Sequence, residues 1–191
     1  MTILILSDVH GNWPALQAVL AAEPAVDQIL CLGDLVNYGP QPVECVQWAM
    51  DTLSSDWLVQ GNHDRAVARD ESSRSSAACQ ALAVATQQAT LPLFTPQMKQ
   101  FLAGLQPVQR FLLDSAVCQA CHAVPSDPLY HYLTETSPVP LWESELNLAQ
   151  DLDLTPAELF DACTRKHRLN LPRPDPTPDR GQETRQPEAL T

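Results

Sequence analysis

Long apolar runs and basic residues are both scarce in this sequence. Pro, Gln or a charged residue interrupts each apolar run before it could span a membrane. Lys and Arg number 11 against 23 Asp and Glu, and the formal charge of −12 argues against bulk nucleic acid or an anionic membrane as a partner, because both bind basic surfaces. The 191 residues, 45% of them hydrophobic, fit one globular domain with a sizeable core.

Several targeting and enzyme motifs are also missing. The N-terminus has no basic start and no small-residue cleavage site, so residues 1–6 predict a first strand instead of a signal peptide, and we expect a cytoplasmic protein. The sequence contains no Gly-rich nucleotide loop, no Gly-x-Ser-x-Gly nucleophile elbow and no internal repeat. These absences argue against nucleotide-loop enzymes and serine hydrolases of those types.

The cysteines do not form a recognisable framework. All six lie in apolar contexts of a chain too large to depend on disulfides, which predicts reduced and buried thiols. Cys118 and Cys121 have the spacing of a redox or zinc pair, but no second pair accompanies them. On the strand predicted there, residues three apart point to opposite faces, which works against joint metal binding.

Short apolar runs alternate with helical patterns along the first half of the chain. Strands are predicted over residues 3–7, 28–32, 57–59, 108–113 and 116–121, with a turn at 114–115 between the last two. Helices are predicted after Asn12, over 42–53 and 77–89, and from Thr95 to residue 105. Alternating strands and helices followed by paired strands predict an α/β sandwich of mixed β-sheets flanked by helices.

Groups that can bind metal follow each of the first three predicted strands. Asp8 and His10 follow the first strand, Asp34 follows the second, and Asn62 and His63 follow the third. The carboxyl ends of parallel strands share one edge of a sheet, where open α/β folds place their ligands, so these side chains should converge. Mixed oxygen and imidazole donors suit manganese, iron or zinc better than calcium.

These segments together resemble the motifs of the calcineurin-like metallophosphoesterases. Residues 8–12 read Asp-Val-His-Gly-Asn, residues 33–40 read Gly-Asp-Leu-Val-Asn-Tyr-Gly-Pro, and residues 61–64 read Gly-Asn-His-Asp. Residues 122–129, His-Ala-Val-Pro-Ser-Asp-Pro-Leu, are similar to a fourth family segment in which Gly and Ser stand where this chain has Ala and Val. Each signal is weak alone, but their order and positions make the resemblance specific.

The resemblance implies a site for two divalent metal ions, with manganese the expected metal and iron, zinc, nickel or cobalt as alternatives. Asp8 and His10 would bind the first ion, Asp34 would bridge both ions, and Asn62 and His122 would bind the second. In such a site a hydroxide held between ions about 3.5–4 Å apart attacks phosphorus.

The resemblance also suggests roles for residues that bind no metal. His63 would protonate the departing oxygen. Asp64 would either orient His63 or cap the following helix. Arg65 would touch a substrate phosphate or belong to a solvated face. Asn37 and Tyr38 would line the entrance, or they would only form a turn with the Gly and Pro that follow.

One family motif, Gly-His-x-His near the C-terminus, is missing from this chain. His131 is expected on an exposed helix face. His167 lies roughly where the missing motif belongs, but its neighbours Arg165, Lys166 and Arg168 are positively charged and would repel a dication. The two metal-binding imidazoles of that motif therefore have no clear counterpart.

The composition changes towards the C-terminus. We assign residues 1–169 to a metallophosphoesterase domain, with its motifs in 1–133 and a looser pattern from about residue 141, and one more helix is expected from Thr155. Residues 170–191 form a Pro- and Arg-rich tail that we expect to be disordered. The missing motif fits either a natural variant with an incomplete site or a truncated or frameshifted coding sequence, and the shift in composition after about Cys163 favours the second.

Two functions follow from these motifs. The first is a divalent-metal-dependent phosphoesterase acting on a phosphate mono- or diester, a phosphoprotein or a dinucleoside polyphosphate. The alternative is an inactive or weakly active relative that keeps the fold as a binding or regulatory protein, which the missing motif favours. In both cases we expect no membrane partner and no bulk nucleic-acid binding, and the sequence makes no prediction of oligomeric state.

Overall fold

A computed structural model of the protein describes residues 1–113 and 116–150. Its helices and strands are β1 (Ile3–Leu6), α1 (Trp13–Ala22), β2 (Gln28–Cys31), α2 (Pro42–Thr52), α3 (Asn62–Arg69), α4 (Ala77–Thr90), α5 (Pro96–Gly104), β3 (Val108–Leu113), β4 (Ala116–Cys121) and α6 (Val139–Gln150). Short 3-10 helices occupy Ser55–Trp57 and Leu91–Leu93. No helix within the described residues is both long and apolar enough to cross a membrane. The predicted mixed α/β class is confirmed.

The strands form two small sheets. β1 pairs with β2 in parallel, from Ile3 opposite Gln28 to Leu6 opposite Cys31. β3 pairs with β4 in antiparallel fashion, with Val108 opposite Cys121. Because β1 and β2 are parallel neighbours, the loops that follow them leave the sheet at the same edge.

The third predicted strand is wrong in extent. Trp57 ends a 3-10 helix, and only Leu58 and Val59 make isolated parallel bridges, to Cys31 and Gln106 respectively. The Val59 N–H donates to the Cys31 carbonyl at 3.0 Å, so this short segment still runs beside β2. It therefore delivers the residues that follow it to the same edge as the loops after β1 and β2.

Local signals placed the helix starts correctly. Asn12 Oδ1 accepts a hydrogen bond from the Ala15 N–H at 3.2 Å, and Thr95 Oγ1 accepts one from the Met98 N–H at 3.2 Å. Each helix then has a proline in its first turn, where a missing N–H costs nothing. β1 is half-buried, and Val19 of α1 is 39% exposed.

The main core lies between the helices and the loop that follows β2. Its wholly buried members include Leu35 and Val36 of that loop, Leu58, Val67 of α3 and Leu102 of α5. A smaller cluster joins Leu30, Leu32, Val59 and Ala120 between the two sheets. Burial of Leu35 and Val36 anchors the chain directly after Asp34, which fixes that loop against the core.

The cysteines differ from the prediction of buried thiols. Cys31 and Cys45 are buried, and burial raises the pKa of each thiol to about 12, so both are unreactive. Cys79 is exposed on α4, and Cys118 and Cys121 are half-buried on β4. The prediction was wrong for these three because it inferred burial from apolar sequence neighbours. On α4, for example, most of the apolar residues around Cys79 are themselves exposed to solvent.

The chain between residues 122 and 150 also departs from expectation. α6 was not predicted, because the pattern was taken to loosen from about residue 141. His131 is exposed as expected, but it lies in a loop and not on a helix face. The turn at 114–115, the helix expected from Thr155, the tail 170–191, and Cys163 and His167 all lie outside the described residues.

Candidate functional site

The loops after β1 and β2 are bonded to each other through their backbones. The Asp8 N–H donates to the Gly33 carbonyl at 3.1 Å, the His10 N–H to the Asp34 carbonyl at 2.8 Å, and the Gly11 N–H to the Leu35 carbonyl at 2.8 Å. Asp8, His10 and Asp34 have φ angles of 57°, 50° and 58°, a left-handed conformation that residues with a side chain rarely adopt. Such strain collects at functional sites, and here it turns three polar side chains toward one point.

All five predicted metal ligands come together at this edge. One donor atom each from Asp8, Asp34 and His122 lie within 4.8 Å of one another. His10 Nε2 is 3.6 Å from an Asp8 oxygen and 3.8 Å from Asp34 Oδ2. His122 Nε2 is 3.2 Å from Asp34 Oδ2 and 3.0 Å from Asn62 Oδ1. Asp34, Asn62 and His122 are buried, whereas the Asp8 and His10 side chains are partly open to solvent.

The hydrogen bonds of the two imidazoles make this cluster suitable for a cation. His122 Nδ1 lies 2.8 Å from the Leu32 carbonyl, and His10 Nδ1 lies 3.1 Å from the Val36 carbonyl. A carbonyl can only accept, so each Nδ1 donates, and each ring in its neutral form turns the lone pair of Nε2 toward the carboxylates. Lone pairs of nitrogen and oxygen then face one another, which is favourable only with a proton or a metal ion between them.

The charges inside the cluster follow from the same contacts. Burial would raise the pKa of Asp34, but the imidazole of His122 and those of His63 and His10 outweigh it and hold the pKa below its ordinary value. Burial would lower the pKa of His10, but the Asp8 and Asp34 carboxylates raise it above its ordinary value. The donor set of carboxylates, imidazoles and one amide oxygen therefore fits divalent manganese, iron or zinc.

His63 lies beside the cluster in the first turn of α3 and is buried. Its backbone N–H donates to Asp34 Oδ1 at 2.9 Å. Its ring contacts Asn37 Nδ2 through Nδ1 at 2.9 Å and Ser75 Oγ through Nε2 at 3.3 Å. Burial, only partly offset by the Asp34 carboxylate, lowers the pKa of His63 to about 4, so the ring is neutral near pH 7.

Asp64 supports the loop that carries Asp34. Its carboxylate accepts backbone N–H groups from Asp34 at 2.8 Å, Leu35 at 2.9 Å and Gly61 at 3.0 Å. The bond from Gly61 caps α3, which favours the second of the two predicted roles. The side chain that meets the His63 ring is Asn37, so the orienting role predicted for Asp64 falls to another residue.

Arg65 and Asn37 were each given a substrate role and a structural role, and their contacts favour the structural one. Arg65 Nε donates to Glu71 Oε1 at 2.9 Å, and both side chains are partly exposed, which favours the solvated-face reading. Asn37 is 0% exposed and so does not line an open entrance. Tyr38 is half-buried, and its ring packs against those of His10 and His63, with centroids 4.8 Å and 4.7 Å apart.

Sequence reasoning missed three contributors to the site, Tyr132, Ser73 and Ser75. The Tyr132 hydroxyl donates to Asn62 Oδ1 at 3.0 Å, and the Asn62 side-chain amide donates to the Ser73 carbonyl at 2.7 Å. Ser73 and Ser75 belong to the run Ser-Ser-Arg-Ser-Ser, which reads as a polar linker. No local sequence signal identifies these residues as part of the site. The serine run that follows the Gly-Asn-His-Asp motif could have suggested a segment that folds back over that motif.

Comparison with known proteins agrees with this geometry. The family model described as calcineurin-like phosphoesterase matches residues 1–107. An uncharacterized protein of Methanocaldococcus jannaschii is 43% identical over 72 residues, which is 37% of this chain and 29% of that protein. A symmetrical bis(5'-nucleosyl)-tetraphosphatase of Methylobacillus flagellatus is 34% identical over 67 residues, covering 34% of this chain and 24% of that enzyme.

A solved structure is also similar. The crystal structure of a metallophosphoesterase from Sphaerobacter thermophilus matches with a TM-score of 0.55 and 36% identity, covering 70% of this chain and 51% of that one. This chain thus spans about half of that structure and less than a third of the curated relatives. The match to the family model ends at residue 107.

Proposed function

This chain belongs to the calcineurin-like phosphoesterase family, and on that premise we propose that it is a divalent-metal-dependent hydrolase of phosphate mono- or diesters. The observation that carries the proposal is the convergence of lone pairs at the sheet edge. Nε2 of His10 and Nε2 of His122 both face the Asp34 carboxylate, at 3.8 Å and 3.2 Å. A polar site built this way binds cations, and phosphoester hydrolysis is a reaction that such cations assist.

We assign five side chains to metal binding. Asp8 and His10 would hold one ion, Asn62 and His122 a second, and Asp34, which reaches both imidazoles, would lie between them. Manganese is the expected metal, with iron, zinc, nickel or cobalt as alternatives. When bound, such ions neutralise charge on the phosphoryl oxygens and make a water nucleophilic near neutral pH.

The remaining residues of the site would position groups and stabilise the leaving oxygen. His63 would donate a hydrogen bond from Nε2–H to the oxygen that leaves phosphorus, because Nε2 is the ring nitrogen on the side away from the buried Asn37. Asp34 Oδ1 fixes the backbone of His63 at 2.9 Å. Tyr132 donates to Asn62 Oδ1, which orients the amide oxygen toward His122. Arg65 and Asn37 are less suited to binding substrate than expected, since one is paired with Glu71 and the other is buried.

We propose a phosphoester substrate, which is a small molecule, a nucleotide or a phosphoprotein, for a cytoplasmic enzyme. The symmetrical bis(5'-nucleosyl)-tetraphosphatase among the relatives supports testing dinucleoside polyphosphates alongside simple phosphate esters and phosphoproteins. Its similarity to this chain covers 67 residues, 34% of the chain, so the identity of the substrate does not follow from it. The proposal therefore defines the chemical class of the substrate, a phosphoester, and does not name one compound.

The alternative function is that of an inactive or weakly active relative, retained as a binding or regulatory protein. Within residues 1–113 and 116–150, the cluster offers five side chains for two ions, and the further histidine there, His131, is exposed and outside it. Few ligands per ion mean weak binding. This composition of the cluster favours the alternative.

A hydrolysis assay separates the two functions. The wild-type protein with added manganese should hydrolyse p-nitrophenyl phosphate or its bis ester, and a chelator should stop the reaction. His63→Ala should lower kcat about 10²–10⁴-fold, because the leaving oxygen would lose its hydrogen-bond donor. His131→Ala, at an exposed position, is the matched control and should keep the wild-type rate. If the wild type shows no metal-dependent turnover of any tested phosphoester, the proposed enzymatic function is refuted and the binding or regulatory function is favoured.

Metal retention is a second test. With about three protein ligands for each ion, the purified protein should lose manganese during dialysis against metal-free buffer and regain activity when manganese is returned. Metal content per chain, measured by elemental mass spectrometry before and after dialysis, checks this. Two equivalents that survive dialysis would contradict the expectation and point to a further ligand from the chain or from a partner.

A further inference from the structure

The side-chain amide of Asn37 is buried with both ends occupied. Its Oδ1 accepts the backbone N–H of Tyr38 at 3.0 Å and also the hydroxyl of Thr86 on α4. Its Nδ2 lies 2.9 Å from Nδ1 of His63. A backbone N–H can only donate, so the amide oxygen must be the end that faces Tyr38, and the NH2 group must face the imidazole.

We propose that Asn37 is a positioning residue that keeps His63 in the tautomer with its proton on Nε2. The NH2 group has only hydrogens to offer, so the Nδ1 that it meets must carry a lone pair, and the ring proton is then on the other nitrogen. This inference rests on the proposed function for its purpose, since it delivers the proton to the nitrogen that would meet the leaving oxygen.

The surroundings of Nε2 agree with this assignment. Ser75 Oγ lies 3.3 Å from Nε2, receives the Tyr38 hydroxyl at 3.0 Å, and lies 2.8 Å from Ser73 Oγ. A hydroxyl has two lone pairs and one hydrogen. Ser75 can accept from both His63 Nε2–H and Tyr38 and donate to Ser73, so every group in this chain of contacts has a partner of the right kind.

A carboxylate at position 37 would produce the opposite arrangement. It would accept a proton from Nδ1, and the neutral ring would then present a lone pair at Nε2. Asparagine and aspartate have nearly the same shape, and the bond from the Tyr38 N–H to Oδ1 would remain with either. Asn37→Asp therefore changes the hydrogen-bond polarity at His63 with little change in packing.

The test is nitrogen NMR of the metal-free protein labelled with 15N-histidine, at a pH where free imidazole is neutral. The chain has five histidines, and His63→Gln identifies the signals of His63. We expect a protonated Nε2 and an unprotonated Nδ1 in the wild type, and the reverse in Asn37→Asp. The reversal is the decisive result, because an unconstrained imidazole already favours Nε2–H. Asn147→Asp, an exposed amide on α6, is the matched control and should leave the pattern unchanged.

Each outcome decides the inference without reference to catalysis. Protonated Nδ1 in the wild type would overturn it, and this measurement needs no variant to fold. An Asn37→Asp protein that folds, by circular dichroism, yet keeps Nε2–H would overturn it as well. If the wild type has no phosphoesterase activity, the proposed function fails while the tautomer result still stands, so the two failures are distinguishable.

Discussion

Asp34→Asn is expected to remove metal binding and to lower the rate of phosphoester hydrolysis on the order of 10³-fold or more, while the fold survives. The carboxylate is 2% exposed and meets the imidazoles of His10 and His122. An amide has the same shape and no charge. Metal titration by calorimetry and the rate with saturating manganese measure the two losses.

The expected survival of the fold comes from the individual contacts of Asp34. Oδ1 accepts the His63 N–H at 2.9 Å, and an amide oxygen can do the same. Oδ2 lies 3.2 Å from His122 Nε2, where the amide NH2 could donate to the ring lone pair. Asparagine would thus satisfy the empty cluster and prevent it from collecting cations.

Thermal unfolding with a chelator present should therefore give Asp34→Asn a midpoint equal to or above that of the wild type. Asp51→Asn, at an exposed position on α2, is the matched control and should change neither metal binding nor rate. A variant that still binds metal as tightly as the wild type, or keeps more than about a tenth of its rate, would remove Asp34 from the centre of the site.

The sequence predicted those parts of the fold that local chemistry decides. Asn12 and Thr95 accept the predicted capping hydrogen bonds, since a cap and its target lie three residues apart. The strand predicted over residues 57–59 failed because its extent depends on partners far along the chain, Cys31 and Gln106.

The candidate site shows the same division. Asp8 and Asp34 follow parallel strands, whose ends share one edge of the sheet, so topology was enough to expect them side by side, whereas His122, which follows β4, was expected there from the family resemblance. Of the two roles predicted for Asp64, orienting His63 and capping the following helix, its contacts favour the cap. On α3 the Asp64 side chain turns back to the Asp34 loop, while Asn37 approaches His63 from that loop.

Gly61→Ala is expected to destabilise the protein by about 3 kcal/mol and to lower its thermal midpoint by roughly 10 °C. The φ of Gly61 is −87°, so an alanine could adopt its backbone conformation, and the expected loss comes from space alone. A Cβ at this position would lie 2.8 Å from Asp34 Cγ and would overlap Asp34 Oδ1 and the Asp34 backbone nitrogen. The clash falls on a buried side chain that cannot move away, because Asp64 and His63 hold its loop.

The displacement should reach metal binding as well as stability, since moving Asp34 separates the donors of both proposed ions. Gly104→Ala is the control for the chemistry of the substitution, because a Cβ there has no heavy atom within 4 Å and alanine is the better residue at a helical position. It should leave metal binding unchanged and stability equal or up to about 1 kcal/mol higher. A Gly61→Ala protein that unfolds within roughly 2 °C of the wild type and binds manganese equally well would contradict this prediction. The position of Asp34 would then not depend on the close approach between its loop and the segment that follows Val59.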